Sequence, residues 1–139
     1  MNQSEKFIML NPLRYGAAAL IAVGGSMHAT GLVKGMVDHH AFPFWYWAVF
    51  LFAIPGYLVS AVLILKNVRA GYYFAFISPI IGGLLILGGF LFPASGLLIL
   101  IPGTYANEIT LIGFVTLISE PIASASSAFL IRNQIWNLK

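Results

Sequence analysis

Apolar residues crowd into four stretches of the 139-residue chain, separated by short polar or proline-bearing breaks. The runs cover about 13–33, 44–65, 72–91 and 109–131. Each reaches the roughly 20 residues that a helix needs to cross a bilayer. None alternates with the two-residue rhythm of a half-buried strand, so the pattern predicts an all-α fold. With short loops between them, the runs describe a single membrane domain over residues 1–139, an integral membrane bundle of four transmembrane helices.

The breaks refine this outline. Pro12 predicts the start of the first helix, because proline is tolerated in a first turn. Met1 to Asn11 then reads as a short interfacial segment, and Lys34 with Gly35 closes the first run. Pro55-Gly56, Pro79 and Pro121 lie inside later runs and predict kinks, since proline removes a backbone donor. Lys66, Asn67 and Arg69 form a tight basic turn, with Gly71 allowing the chain to reverse. The apolar stretch 94–103 is too short to span and is expected to be interfacial or re-entrant. Arg132 to Lys139 reads as a short polar tail.

The last run has two unlike faces. Gly113, Thr116, Glu120, Ser124 and Ser127 recur at steps of three and four, which places them on one side of a helix. Leu111, Phe114, Ile118, Ile122 and Phe129 fall on the other. A carboxylate at membrane depth costs at least about 2.5 kcal/mol on insertion scales, so the Glu120 face is predicted to turn toward protein or water. Ala123, Ala125, Ser126 and Ala128 make the inner half of this helix small on most of its circumference, which suits close packing on more than one side.

Composition excludes several classes of function. The chain is 60% hydrophobic and only 8% charged, against roughly 25% charged residues in ordinary soluble domains. It has no cysteine, which removes thiol redox chemistry, thiolate metal sites and disulfides. The formal charge of +3 comes from basic residues scattered singly, so no nucleic-acid partner is expected and the charges are read as topology signals. Lys6, Arg14, Lys66, Arg69, Arg132 and Lys139 fall on one side of a four-span bundle, and only Lys34 on the other. The positive-inside rule therefore puts both termini in the cytoplasm and loops 35–43 and 92–108 on the outer side. Trp45, Tyr46, Trp47 and Tyr105 would mark the outer boundary, and Tyr15, Tyr72, Tyr73 and Trp136 the inner one.

Few groups are left to carry chemistry. His28 is the second intramembrane polar group, flanked by Gly24, Gly25 and Gly31 on or near its own face. Such a stripe admits a neighbouring helix, or equally a haem or chlorophyll ligated by the imidazole. Counted from Lys34 and from Ile109, His28 lies roughly 9 Å deep and Glu120 roughly 16 Å deep at 1.5 Å per residue. The resulting gap of about 7 Å on that rise predicts no direct bond, with Thr116 as the natural intermediate. A carboxyl group buried away from any cation favours its neutral, hydrogen-bond-donating form. Asp38, His39 and His40 supply imidazole and carboxylate ligands suited to copper or zinc at the outer surface. No cofactor is required by the sequence. No nucleophile–base pair, phosphate loop or metalloprotease helix is present, so the chain is not expected to be an enzyme on its own.

Three functional expectations follow. The first is an accessory or structural subunit that stabilises a larger membrane complex, such as an energy-converting or metal-dependent oxidoreductase. Its partners would be other membrane subunits or further copies of the chain, within the lipid bilayer. The second is a small proton-coupled transporter or channel using Glu120. The third is a haem- or chlorophyll-binding membrane subunit with His28 as ligand.

Overall fold

The structure, a computed structural model, describes residues 2–38, 44–92 and 111–138. Among these, four helices follow in chain order: α1 (Gln3–Val37), α2 (Phe44–Leu65), α3 (Arg69–Leu91) and α4 (Leu111–Arg132). A short 3-10 helix, Ile135–Asn137, follows α4. Helix α1 packs against α2 and α4, and α3 closes the ring by packing against the same two. Two of the helices, α1 and α4, are each long and apolar enough to cross a membrane.

The first helix starts well before Pro12. Asn2 accepts a hydrogen bond from the Glu5 backbone N–H at 2.8 Å, and the Glu5 carboxylate accepts one from the Asn2 N–H at 3.0 Å. This reciprocal capping box fixes the N-terminus of α1 at Gln3, so the expected interfacial segment is the first turns of one continuous helix. Pro12 sits exposed inside it. The missing donor is tolerated there because Leu10, Arg14, Ala17 and Ala18 on the other face are buried in the bundle. At the far end the helix runs past Lys34, whose ammonium pairs with Asp38 one turn on. At 35 residues and 1.5 Å per residue, α1 is about 52 Å long and overreaches a hydrocarbon core of roughly 30 Å.

Helices α2 and α3 meet through a three-residue connection. Asn67 takes the left-handed conformation (φ 56°) that reverses the chain, which asparagine adopts more readily than most residues. Gly71 is needed for contact: a Cβ there would stand 2.7 Å from Leu63 Cβ and 2.8 Å from the Ile64 nitrogen. The buried Ser60 hydroxyl donates to the Gly71 carbonyl at 2.7 Å, tying the two helices just beyond their turn. Helix α3 accordingly begins at Arg69, three residues earlier than the apolar run suggests.

The C-terminal residues dock onto this same end instead of trailing as a polar tail. Gln134 turns the chain in a left-handed conformation (φ 47°), and Ile135 and Leu138 join Leu10 and Leu130 in the core. Asn67 donates to the Ile135 carbonyl at 3.3 Å and accepts from the Tyr72 hydroxyl at 2.7 Å. The Arg69 guanidinium lies over the Trp136 ring, 5.5 Å from its centroid. Outward, every helix presents large apolar side chains, among them Val23, Phe52, Leu84 and Phe114.

Candidate functional site

Small residues bring α1 and α4 together. Gly24, Gly25, His28, Gly31 and Gly35 form the buried face of the second half of α1. All five residues of the small, polar face of α4 are buried: Gly113, Thr116, Glu120, Ser124 and Ser127. Leu111, Phe114, Ile118, Ile122 and Phe129 are exposed, so the two-faced reading of this helix describes its packing correctly. The contacts at the glycines are close. A Cβ on Gly24 would lie 3.1 Å from both Cγ and Oε1 of Glu120, and one on Gly25 would lie 2.9 Å from Tyr57 Cβ. Gly24 is thus the seat of the glutamate, while Gly25 lets α2 approach the same stretch of α1.

In this cleft the His28 Nε2 and the Glu120 Oε1 lie 2.8 Å apart, with side chains 11% and 10% exposed. The expectation of a 7 Å gap is therefore overturned, and no hydroxyl is needed between the two groups. The error lies in the helix ends. His28 is nine positions from the end of α1 at Val37, and Glu120 is nine positions from the start of α4 at Leu111. At 1.5 Å per residue both lie about 13–14 Å from those ends, and antiparallel packing sets them side by side. The carboxyl group is accordingly not isolated from a cation-capable partner.

Thr116 is buried one turn away, but its hydroxyl donates to the Ile112 carbonyl of its own helix at 3.0 Å. Ser119 likewise donates to the Thr116 carbonyl at 3.4 Å. Ser124 reaches across to α3 and donates to the Phe76 carbonyl at 2.8 Å. That carbonyl is next to the Ala75 carbonyl, the one that Pro79 deprives of its helical donor. The Ser127 hydroxyl is wholly buried and, among the described residues, has no hydrogen-bond partner.

Two aromatic residues that the sequence reading passed over complete the site. The imidazole packs edge-on to Phe50, with centroids 5.2 Å apart, and against Tyr57 at 5.5 Å. Tyr57 in turn packs edge-on against Phe74 of α3, with centroids 6.2 Å apart. A signal for Tyr57 was present: the other tyrosines fall at predicted boundaries, but this one follows Pro55-Gly56 in the middle of a run. The His28 Nδ1 is buried without a hydrogen-bond partner among the described residues. With Nε2 facing Glu120 and the ring covered by Phe50 and Tyr57, a haem or chlorophyll metal would have to displace the glutamate to reach Nε2.

Asp38 pairs with Lys34, while His39 and His40 lie outside the described residues, as does the segment 94–103. Among the described residues, no three histidine, aspartate or glutamate side chains gather as a metal site would need. A buried cation stands toward the opposite end: Arg14, 7% exposed, donates to the Tyr15 hydroxyl at 3.0 Å and stacks on the Phe7 and Tyr15 rings. No known family model, curated protein or solved structure matches this chain.

Proposed function

We propose that the chain is a small proton-transferring membrane protein, a channel or proton-coupled transporter, in which the His28–Glu120 pair takes up and releases the proton. In this reading α2 and α3 cross the bilayer beside α1 and α4, and the basic end with both termini faces the cytoplasm. The outward apolar side chains on all four helices support the membrane assignment. The 2.8 Å contact between two titratable groups inside an apolar bundle carries the functional one. Ionisable residues at such depth are rare, paired, and associated with ion or proton pathways.

The pair can hold one proton or two, and each state leaves a different penalty. If Nε2–H donates, a carboxylate charge remains in an apolar setting and Nδ1 keeps a bare lone pair. If the carboxylic O–H donates, no charge remains but Nδ1 carries a buried, unbonded N–H. Neither arrangement satisfies every group, so neither is locked. Ser124, one turn from Glu120 on α4, continues the polar face toward α3, where its hydroxyl donates to the Phe76 carbonyl at 2.8 Å.

Infrared titration of the reconstituted protein tests this without knowing a substrate. A carboxylic C=O band should grow as pH falls and be missing from Glu120→Gln. Proton uptake into vesicles under an imposed potential should fall to that of empty vesicles in the same variant. A folded wild-type protein with no titrating carboxyl band, or a Glu120→Gln protein with undiminished flux, overturns the proposal.

A second reading, an accessory subunit of a larger complex such as an energy-converting or metal-dependent oxidoreductase, is favoured by one observation. Beyond Pro79, α3 buries no described side chain, and Cβ atoms added at Gly82 or Gly83 would meet nothing within 4 Å. A small-residue face of that kind suits a helix from another subunit. Gly82→Leu should then release the chain from its native complex while leaving its own fold intact. Extraction of the native protein as a free chain would dispose of this reading.

A further inference from the structure

The basic end carries a cleft of about 350 Å³ between the first turns of α1 and the end of α4. Its polar lining is Gln3, Lys6, Arg132, Asn133, Gln134 and Asn137. The charged groups in that set are both cations, and neither forms an ion pair with a described residue. The nearest acid in sequence, Glu5, is turned back onto the Asn2 backbone N–H at 3.0 Å. Two carboxamides are already fixed in place. Asn133 donates to the Phe129 carbonyl at 2.9 Å, and Asn137 donates to the Gln134 side-chain oxygen at 2.9 Å. These bonds pin the wall of the cleft and leave its charged donors, the Lys6 ammonium and the Arg132 guanidinium, without a partner of opposite sign among the described residues.

We infer that this cleft binds a phosphate oxyanion, supplied by the headgroup of an anionic phospholipid in the adjoining leaflet. Arginine and lysine with neutral amide donors suit a phosphate, the guanidinium by its paired N–H groups and the ammonium as a point charge. Three placements favour the lipid over free phosphate. The cleft lies at the level of Trp136, which packs on Tyr72 and Tyr73 with centroids 5.8 and 6.1 Å away, and such aromatic belts mark a headgroup boundary. Exposed apolar side chains lie one turn deeper on both walls, Met9 below Lys6 and Phe129 below Arg132, where an acyl chain would run. The remaining basic residues of the described chain, Lys34 excepted, lie at this same end, which the positive-inside rule turns toward the anionic cytoplasmic leaflet. The inference shares the membrane placement of the proposed function but not its proton chemistry.

The test is native mass spectrometry of the detergent-solubilised full chain titrated with phosphatidylglycerol or phosphatidylcholine, with inorganic phosphate as a separate arm. One phosphatidylglycerol should be retained in preference to phosphatidylcholine. A charge-assisted contact to a phosphate is worth about a tenfold change in binding or more, so Lys6→Gln with Arg132→Gln should weaken retention roughly 100-fold on that basis. Lys66→Gln, an exposed cation at the same end but outside the cleft, should leave retention unchanged. Equal retention of the two lipids overturns the inference, as does equal loss in the Lys66 variant. Binding of inorganic phosphate without preference for the anionic lipid overturns the choice of source and with it the proposal. A thermal melt matching that of the wild type shows that the double variant is folded, so its loss of lipid reads on the cleft alone.

Discussion

The bond between His28 and Glu120 makes a quantitative prediction that a double-mutant cycle can check. The variants are His28→Leu, Glu120→Leu and the two together. Hydrogen bonds between helices inside membranes average about 0.6 kcal/mol and reach about 1.7, because the unfolded chain in the membrane finds other partners. The present pair differs from that average in two ways. Both side chains are about nine-tenths buried, and the glutamate is seated against Gly24, its Cγ and Oε1 3.1 Å from where a Cβ would stand. Removing one member therefore strands the other, and stranding a buried ionisable group costs about 3–5 kcal/mol. The double variant strands neither and places two apolar side chains where they pack on each other. Each single change should destabilise by about 3 kcal/mol and the double by little more, giving a coupling of about 2–3 kcal/mol. Reversible unfolding in mixed micelles against rising dodecyl sulfate measures this. Trp136, packed on Tyr72 and Tyr73, supplies an emission signal that changes as the bundle opens. Single losses that add to the double within about 0.5 kcal/mol would mean that the two groups do not interact energetically, and the pair would then be neither the tie between α1 and α4 nor a shared proton site.

Two further variants test the packing that places the site. Gly25→Ala sets a methyl 2.9 Å from Tyr57 Cβ, an atom that cannot rotate away, and should cost about 1–3 kcal/mol through forced separation of α1 and α2. Gly82→Ala meets nothing within 4 Å and should stay within about 0.5 kcal/mol of the parent in the same detergent. Equal thermal destabilisation by the two would refute the close approach at Gly25. Asn67→Ala loses the bonds to Tyr72 and Ile135 and keeps a strained left-handed residue, a loss of about 2 kcal/mol. Asn67→Gly relieves the strain but not the lost bonds, so its melting temperature should fall between those of Asn67→Ala and the wild type.

Much of the architecture was legible in the apolar runs because the main signal was strong: long uncharged stretches with single polar interruptions. The sidedness of α4 was equally legible, since one carboxyl group and four small residues at helical spacing leave a single orientation that avoids lipid. The ends of the elements were not. The capping box at Asn2 and Glu5 is a sequence signature, yet Pro12 is the louder punctuation, and only the burial of Leu10 and Arg14 shows why the helix runs through it. The C-terminal dock was hidden for a related reason. Ile135 and Leu138 are two apolar residues in a polar octet, and their burial depends on Asn67 and Tyr72, more than sixty positions earlier, being there to receive them.

The site itself turned on those ends. His28 and Glu120 were each identifiable from sequence as costly groups at membrane depth, but their meeting depends on register, and register is counted from helix ends. Taking Lys34 and Ile109 as boundaries moved one residue outward and the other inward. Together these shifts turned a contact into a gap of about one and a half helical turns at 5.4 Å per turn. A physical constraint points the other way and does not depend on boundaries. Two ionisable groups buried in one small bundle each need a partner, and the neighbouring small residues mark where one helix can approach the other. Gly24 lies one turn before His28, and a carboxyl group bonded to that imidazole must lie along the surface that Gly24 leaves open. Glu120 is the sole acid in the four apolar runs. Pairing cost with cost therefore places these two residues together more securely than counting residues from an uncertain edge, and the glycine beside the histidine shows how the pair fits.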